Sequence, residues 1–191
     1  MVDVVHSEFI LGGQRSGKSR RAESLARHWI DASTEHQAVM VATGQAWDDE
    51  MRERIARHQA DRALRVPGMV TVEEPIALAA AVQRHSSART LIVVDCLTLW
   101  LTNLMMPADP TQALDEPAVV AAGEALCAAL AGAPGPVVLV GNEIGLGVIP
   151  LGREVRAFVD ALGRLNQQVA TACERVTLMA AGLPMTLKGT P

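Results

Sequence analysis

The stretch Gly12-Gly13-Gln14-Arg15-Ser16-Gly17-Lys18-Ser19 matches G-x-x-x-x-G-K-[ST], follows the apolar run Phe9-Ile10-Leu11 and opens a helical pattern. This is the spelling of a phosphate-binding loop. The glycines let backbone N–H groups turn inward around phosphate oxygens, Lys18 neutralises charge on the outer phosphates, and Ser19 offers a hydroxyl to Mg²⁺. The chain holds two lysines, Lys18 and Lys188, so a chance match is rare.

Four further constellations could do chemistry, and each has a plainer reading beside it. Asp95 closes the apolar run Thr90-Leu91-Ile92-Val93-Val94 and resembles a Walker-B carboxylate that holds Mg²⁺ opposite Ser19; otherwise it caps the next helical turn. His58 shares a helix face with Met51 and Ile55, where a packed imidazole is the ordinary finding. Arg54, Arg57 and Arg62 flank it, however, and neighbouring cations keep a ring nitrogen lone pair free for attack on phosphorus. The rival is a solvated Arg-rich face pairing with Asp48, Asp49, Glu50 and Glu53. Glu73 and Glu74 follow an apolar strand, where a carboxylate accepts from guanine N–H groups or ribose hydroxyls, or is simply solvated. Asn142-Glu143-Ile144-Gly145-Leu146-Gly147 reads either as a loop that approaches a ligand closely or as plain turn chemistry.

Short β-rich runs alternate with longer helical patterns, which predicts an α/β domain with a mostly parallel sheet and helices on both faces. Strands are expected at 8–11, 38–42, 70–73, 90–95 and 137–140, with a final pair at 176–180 and 185–187. Helices are expected at 18–30, from 48–50 to 62, at 75–85, 97–105, 118–131 and 153–173, the last with Val155, Phe158, Val159, Leu162, Leu165 and Val169 facing inward. The Pro- and Asp-rich segment 107–117 reads as an exposed loop and the best candidate for a mobile one. Trp29, Trp47 and Trp100 are too scattered for a base-stacking platform and read as packing residues.

At 191 residues the chain is expected to be a single domain, 1–191, burying about 70% of its unfolded surface. Seventeen basic against 21 acidic side chains give a net charge of -4, which argues against a nucleic-acid or anionic-membrane surface. Cys96, Cys127 and Cys173 show neither a disulfide framework nor a zinc spacing and read as buried thiols. No basic segment with a following apolar stretch appears in Met1 to His6, and no apolar run approaches the 18 or so residues of a membrane span, so a cytoplasmic location is expected.

Several of these motifs fall in an order that resembles one family. Gly12 to Ser19 with Arg20, Ala42-Thr43-Gly44, Asp48-Asp49-Glu50-Met51 with Arg54-Ile55 and His58, Asp95-Cys96-Leu97-Thr98 with Thr102-Asn103-Leu104, Asn142 to Pro150, and Gly163-Arg164-Leu165-Asn166-Gln167 run nearly end to end as in the bifunctional adenosylcobinamide kinase and adenosylcobinamide-phosphate guanylyltransferase of cobalamin synthesis. The resemblance implies a RecA-like P-loop domain, assembled as a homotrimer, with two reactions. ATP or GTP phosphorylates the aminopropanol hydroxyl of adenosylcobinamide; GTP then donates GMP, giving adenosylcobinamide-GDP and pyrophosphate. It makes His58 the carrier of a GMP-histidine phosphoramidate, with Lys18 as its catalytic companion. Nucleotide contacts map onto Gly12, Gly13, Gln14, Arg15, Ser16, Gly17, Lys18, Ser19, Ala42, Thr43, Gly44, Gln59, Ala60, Asp61, Arg62, Glu73 and Asp95, and the Mg²⁺ ligands onto Ser19 and Asp95. Two other readings stand beside it: a simple P-loop small-molecule kinase with no covalent nucleotide, and a non-catalytic GTP-sensing subunit.

Overall fold

A computed structural model describes residues 4–46 and 48–190, without the side chain of Arg54. Trp47 and the Arg54 guanidinium, both named above, lie outside the described residues. The element order is β1 (Ser7–Gly12), α1 (Lys18–Ala32), β2 (Gln37–Ala42), α2 (Asp49–Arg65), β3 (Val70–Glu73), α3 (Leu78–His85), β4 (Thr90–Asp95), α4 (Leu97–Met105), α5 (Glu116–Ala131), β5 (Val137–Val140), α6 (Arg153–Ala172), β6 (Arg175–Ala180) and β7 (Leu183–Lys188). The strands form one seven-stranded sheet in the order β3-β2-β4-β5-β1-β6-β7. Every neighbouring pair is parallel except the β6–β7 hairpin.

Side chains alternate across a strand, so the central strands feed two cores. Leu91 and Val93 join Ile10, Met40, Val138 and Val140 under α1. Ile92 and Val94 join Phe9, Leu139 and the apolar faces of α3, α4, α5 and α6 on the opposite side. This gives the three-layer α/β arrangement that the alternating pattern predicts. Among the described residues no helix is long and apolar enough to cross a membrane.

Several boundaries differ from expectation. α3 starts at Leu78 rather than Pro75, because the Glu74 carboxylate accepts from the N–H groups of Ile76 (3.1 Å) and Ala77 (2.8 Å) and holds 75–77 as a turn. α5 starts at Glu116, two residues early, with Asp115 capping Ala118 N–H. The segment before it contains a 3-10 turn, Pro110–Gln112, and is tied back by Leu114 N–H to the Leu104 carbonyl at 2.8 Å. Val155, expected to face inward on α6, is 53% exposed. Trp100 is buried and donates to the Ile76 carbonyl, whereas Trp29 stacks on His36. All three cysteines are free thiols.

Candidate active site

β1 delivers the chain into the glycine-rich loop at the C-terminal edge of the sheet. Gly12 has φ +152°, and a Cβ there would lie 2.5 Å from the Met179 carbonyl oxygen and 2.6 Å from Ser16 Oγ. The position therefore needs glycine. Gly17 caps α1 at φ +102° with no side-chain hydrogen bond, leaving the first-turn N–H groups free for an anion. Lys18 lies across the loop, its Nζ donating to the Gly13 carbonyl at 2.6 Å. Burial pushes its amine below the ordinary lysine value, against the opposing pull of Cys96 and Asp95.

The loop is also held from outside, by an element whose role sequence reasoning missed. Gly182 N–H, at the tip of the β6–β7 hairpin, donates to the Ser16 carbonyl at 3.0 Å. Ala181 and Gly182 both take positive φ (52° and 82°), the geometry of a two-residue hairpin turn. The available signal was the Ala-Gly pair between two apolar runs.

Strand register aligns the other candidates. Glu73 pairs with Ala42, Ala42 with Asp95, Asp95 with Val140, and Val140 with Ile10, giving one row across five strands. Asp95 is half-buried on this row, one strand removed from β1. The peptide bond from Asp95 to Cys96 is cis. Thr43, fully buried, donates from Oγ1 to the Cys96 carbonyl (2.7 Å) and accepts from Cys96 N–H (2.9 Å), while Asn103 Nδ2 donates to the Thr43 carbonyl (2.7 Å). Thr43 and Asn103 thus fix where β2 and β4 end.

Ser19 and Asp95 offer a hydroxyl and a carboxylate, the oxygen donors a hard cation takes. Ser16 Oγ, buried in the same loop, has no hydrogen-bond partner. No group of three or more His, Cys, Asp or Glu side chains suited to a metal occurs among the described residues. The arrangement fits Mg²⁺ completed by phosphate oxygens and water rather than a cage made by protein alone.

Beyond β2 and β3 the sheet edge opens into a cleft of about 590 Å³, bordered by Gly44, Arg52, Ile55, Gln59, Glu73 and Pro75. α2 forms one wall. Asp48 caps its start by accepting from Met51 N–H at 2.7 Å, and Asp49 pairs with Arg52. His58 is exposed, about 60° around the helix from the cleft-lining Ile55, so it flanks the cleft rather than lining it. Arg57 and Ala60 are exposed, and Asp61 pairs with Arg65 at 3.0 Å. Arg62 turns inward: it is 7% exposed, its Nη1 donates to Thr71 Oγ1 at 3.1 Å, and its Nε lies 4.0 Å from Glu23. Of the expected nucleotide contacts, the cleft gathers Gly44, Gln59 and Glu73, while Gly12 to Ser19 and Asp95 gather at the loop.

A family model described as cobinamide kinase / cobinamide phosphate guanyltransferase matches residues 8–187. The chain is 50% identical over 184 residues to a bifunctional adenosylcobalamin biosynthesis protein of Pseudomonas aeruginosa, covering 96% of this chain and 98% of that one. It is 36% identical over 187 residues to the like-named protein of Escherichia coli, covering 94% and 98%. Among solved structures, the flagellar accessory protein FlaH of Methanocaldococcus jannaschii superposes with a TM-score of 0.55 at 13% identity, covering 97% of this chain and 79% of that one, a likeness of fold alone.

Proposed function

This chain belongs to the cobinamide kinase / cobinamide phosphate guanyltransferase family, and from that premise we propose how its residues divide the two reactions. It is a transferase that phosphorylates adenosylcobinamide with ATP or GTP and then transfers GMP from GTP to the phosphate so formed. The observation that supports the division is one sheet edge carrying a phosphate loop at one end and, at the other, a nucleoside-sized cleft walled by the helix that bears His58.

In the kinase step the loop N–H groups and Lys18 hold the β- and γ-phosphates, and the chemistry is mainly positioning and charge neutralisation. Ser19 and Asp95 would hold Mg²⁺, which when bound neutralises charge on the phosphate oxygens. In the transfer step a neutral His58 nitrogen attacks the α-phosphorus, a bond to GMP forms and pyrophosphate leaves toward Lys18. The phosphate oxygen of adenosylcobinamide phosphate then displaces the histidine. A covalent intermediate splits one demanding displacement into two easier ones. Glu73 and Gln59 supply an acceptor and an amide for the base or ribose in the cleft, and Gly44 admits it.

We assign the protein to the cytoplasm, consistent with its free thiols, and to a homotrimer. Leu146, Val148, Ile149 and Leu151 are 75–97% exposed, an apolar stretch that a subunit contact would cover. Intact-mass spectrometry after incubation with Mg²⁺ and GTP tests the central claim. An acid-labile GMP adduct is expected on the parent, absent from His58→Ala and discharged by adenosylcobinamide phosphate. No adduct on a folded protein that still phosphorylates adenosylcobinamide removes His58 as nucleophile and leaves the simple kinase.

A further inference from the structure

Glu143 holds a carboxylate beside the phosphate loop that the chemistry above does not use. β5 is the strand between β1 and β4, so the residues that follow it emerge between the loop and Asp95. Their backbone is anchored on three sides. Glu143 N–H donates to the Gly12 carbonyl (3.2 Å), Asn142 N–H to Thr98 Oγ1 (2.9 Å), and the Asn142 carbonyl accepts from Asn166 Nδ2 (3.1 Å). Asn166 is itself 5% exposed, so this anchor is set in the core side of α6.

The side chain is half-buried and oriented. Its Oε1 accepts from Gly145 N–H at 2.8 Å, and a Cβ on Gly145 would stand 3.1 Å from that same oxygen. Glycine at 145 therefore leaves the carboxylate its place. Among the described residues no cationic side chain lies within ion-pair distance of Glu143. A carboxylate that is positioned and adjoins the loop where phosphate would bind is what a proton acceptor requires.

We propose that Glu143 is the general base of the kinase step, which deepens the function proposed above and rests on its kinase half. As the aminopropanol hydroxyl oxygen bonds to the γ-phosphorus, its proton passes to the free oxygen of Glu143. The bond from the γ-phosphorus to the β–γ bridging oxygen breaks, and the electron pair leaves with the nucleoside diphosphate. The proton returns to water when the phosphorylated product departs. The transfer step has no use for this base, because its acceptor is already a phosphate with no hydroxyl proton to lose.

The two activities of one protein make the test. Glu143→Gln keeps the shape and the acceptor for Gly145 N–H but cannot take a proton. Its kinase kcat is expected to fall about 100-fold or more, with KM for the nucleotide within about twofold. GMP loading from GTP, and its discharge onto preformed adenosylcobinamide phosphate, should proceed at the parent rate; Glu143→Asp should recover part of the kinase loss. Equal losses in both reactions would mean that the Glu143 side chain merely shapes the loop through Gly145, and no loss in either would also overturn the proposal. A parent protein that loads GMP but phosphorylates no adenosylcobinamide would refute the kinase half, and the base with it. A parent with both activities beside an unimpaired Glu143→Gln would refute the base alone.

Discussion

Glu23→Ala should loosen the helix that carries His58 without touching the phosphate loop. Glu23 is 3% exposed on α1, and its carboxylate lies 2.7 Å from Arg65 Nη1 and 4.0 Å from Arg62 Nε, both on α2. Removing one partner of a buried ion pair costs roughly 3–5 kcal/mol, because the charge left behind is neither paired nor hydrated. The Arg65 side chain is 44% exposed and regains water, whereas the Arg62 side chain is 9% exposed and keeps its bond to Thr71. The expected loss therefore sits at the low end, about 3 kcal/mol. A domain of this size loses about 2–4 °C of melting temperature per kcal/mol, so calorimetry should record a drop of roughly 6–12 °C. The drop should persist in high salt, since buried pairs are screened far less than surface ones. Below the new midpoint, nucleotide affinity at the loop should be near that of the parent while the proposed GMP adduct on His58 forms more slowly. A melting temperature within about 2 °C of the parent, or equal losses of nucleotide affinity and adduct formation, would refute the view that Glu23 holds α2 in place.

Two further outcomes follow from burial. The Lys18 amine is pushed below its unfolded value of 10.5, so folding opposes its protonation; that cost is present at neutral pH and fades as pH climbs through the folded value toward the unfolded one. Lys18→Met should therefore melt higher than the parent at pH 7 without nucleotide, by about 0.5–1 kcal/mol, lose that advantage near pH 10, and no longer be stabilised by GTP; a lower melting point at pH 7 would contradict the argument. Burial also pushes the Cys96 thiol up to about 11 and the Cys173 thiol up to about 12, while Cys127 is half-buried. Iodoacetamide at pH 8, followed by peptide mapping, should label Cys127 first, and labelling of Cys96 at a matching rate would show that the sheet edge opens far more readily than its packing implies.

Local signals carried most of the fold. Leu91 to Val94 has four consecutive apolar residues, and only a strand covered on both faces uses all four, so β4 and its polar end at Asp95 were legible. The same holds for the phosphate loop, where residue types and their spacing are the whole message. Contacts between distant segments were not legible. Nothing near Arg62 in the chain announces that it turns away from His58 toward Glu23, 39 positions earlier, because the helical period gives a face and not a partner. Likewise Gly182 reaches Ser16 only after the sheet has brought β6 beside β1. The start of α3 departs from expectation for a local reason: a proline after Glu74 suggests a first turn, while the carboxylate itself supplies the competing hydrogen bonds.

The register row explains how one edge can serve two phosphorus atoms. From Glu73 on β3 to Ile10 on β1 the row crosses four strand spacings, roughly 19 Å at about 4.8 Å each, with Asp95 at its middle. In the proposed arrangement, a guanine base in the cleft beside Glu73 and a triphosphate running along the row toward Lys18 would present the α-phosphorus on the α2 side. The γ-phosphorus would then fall on the loop side, where Glu143 adjoins Gly12. The nucleophile for the α-position and the base for the γ-position thus need not share space, and a substitution at either should impair one reaction and spare the other. That separation is why the two half-reactions, measured on the same variants, discriminate between these roles better than either measured alone.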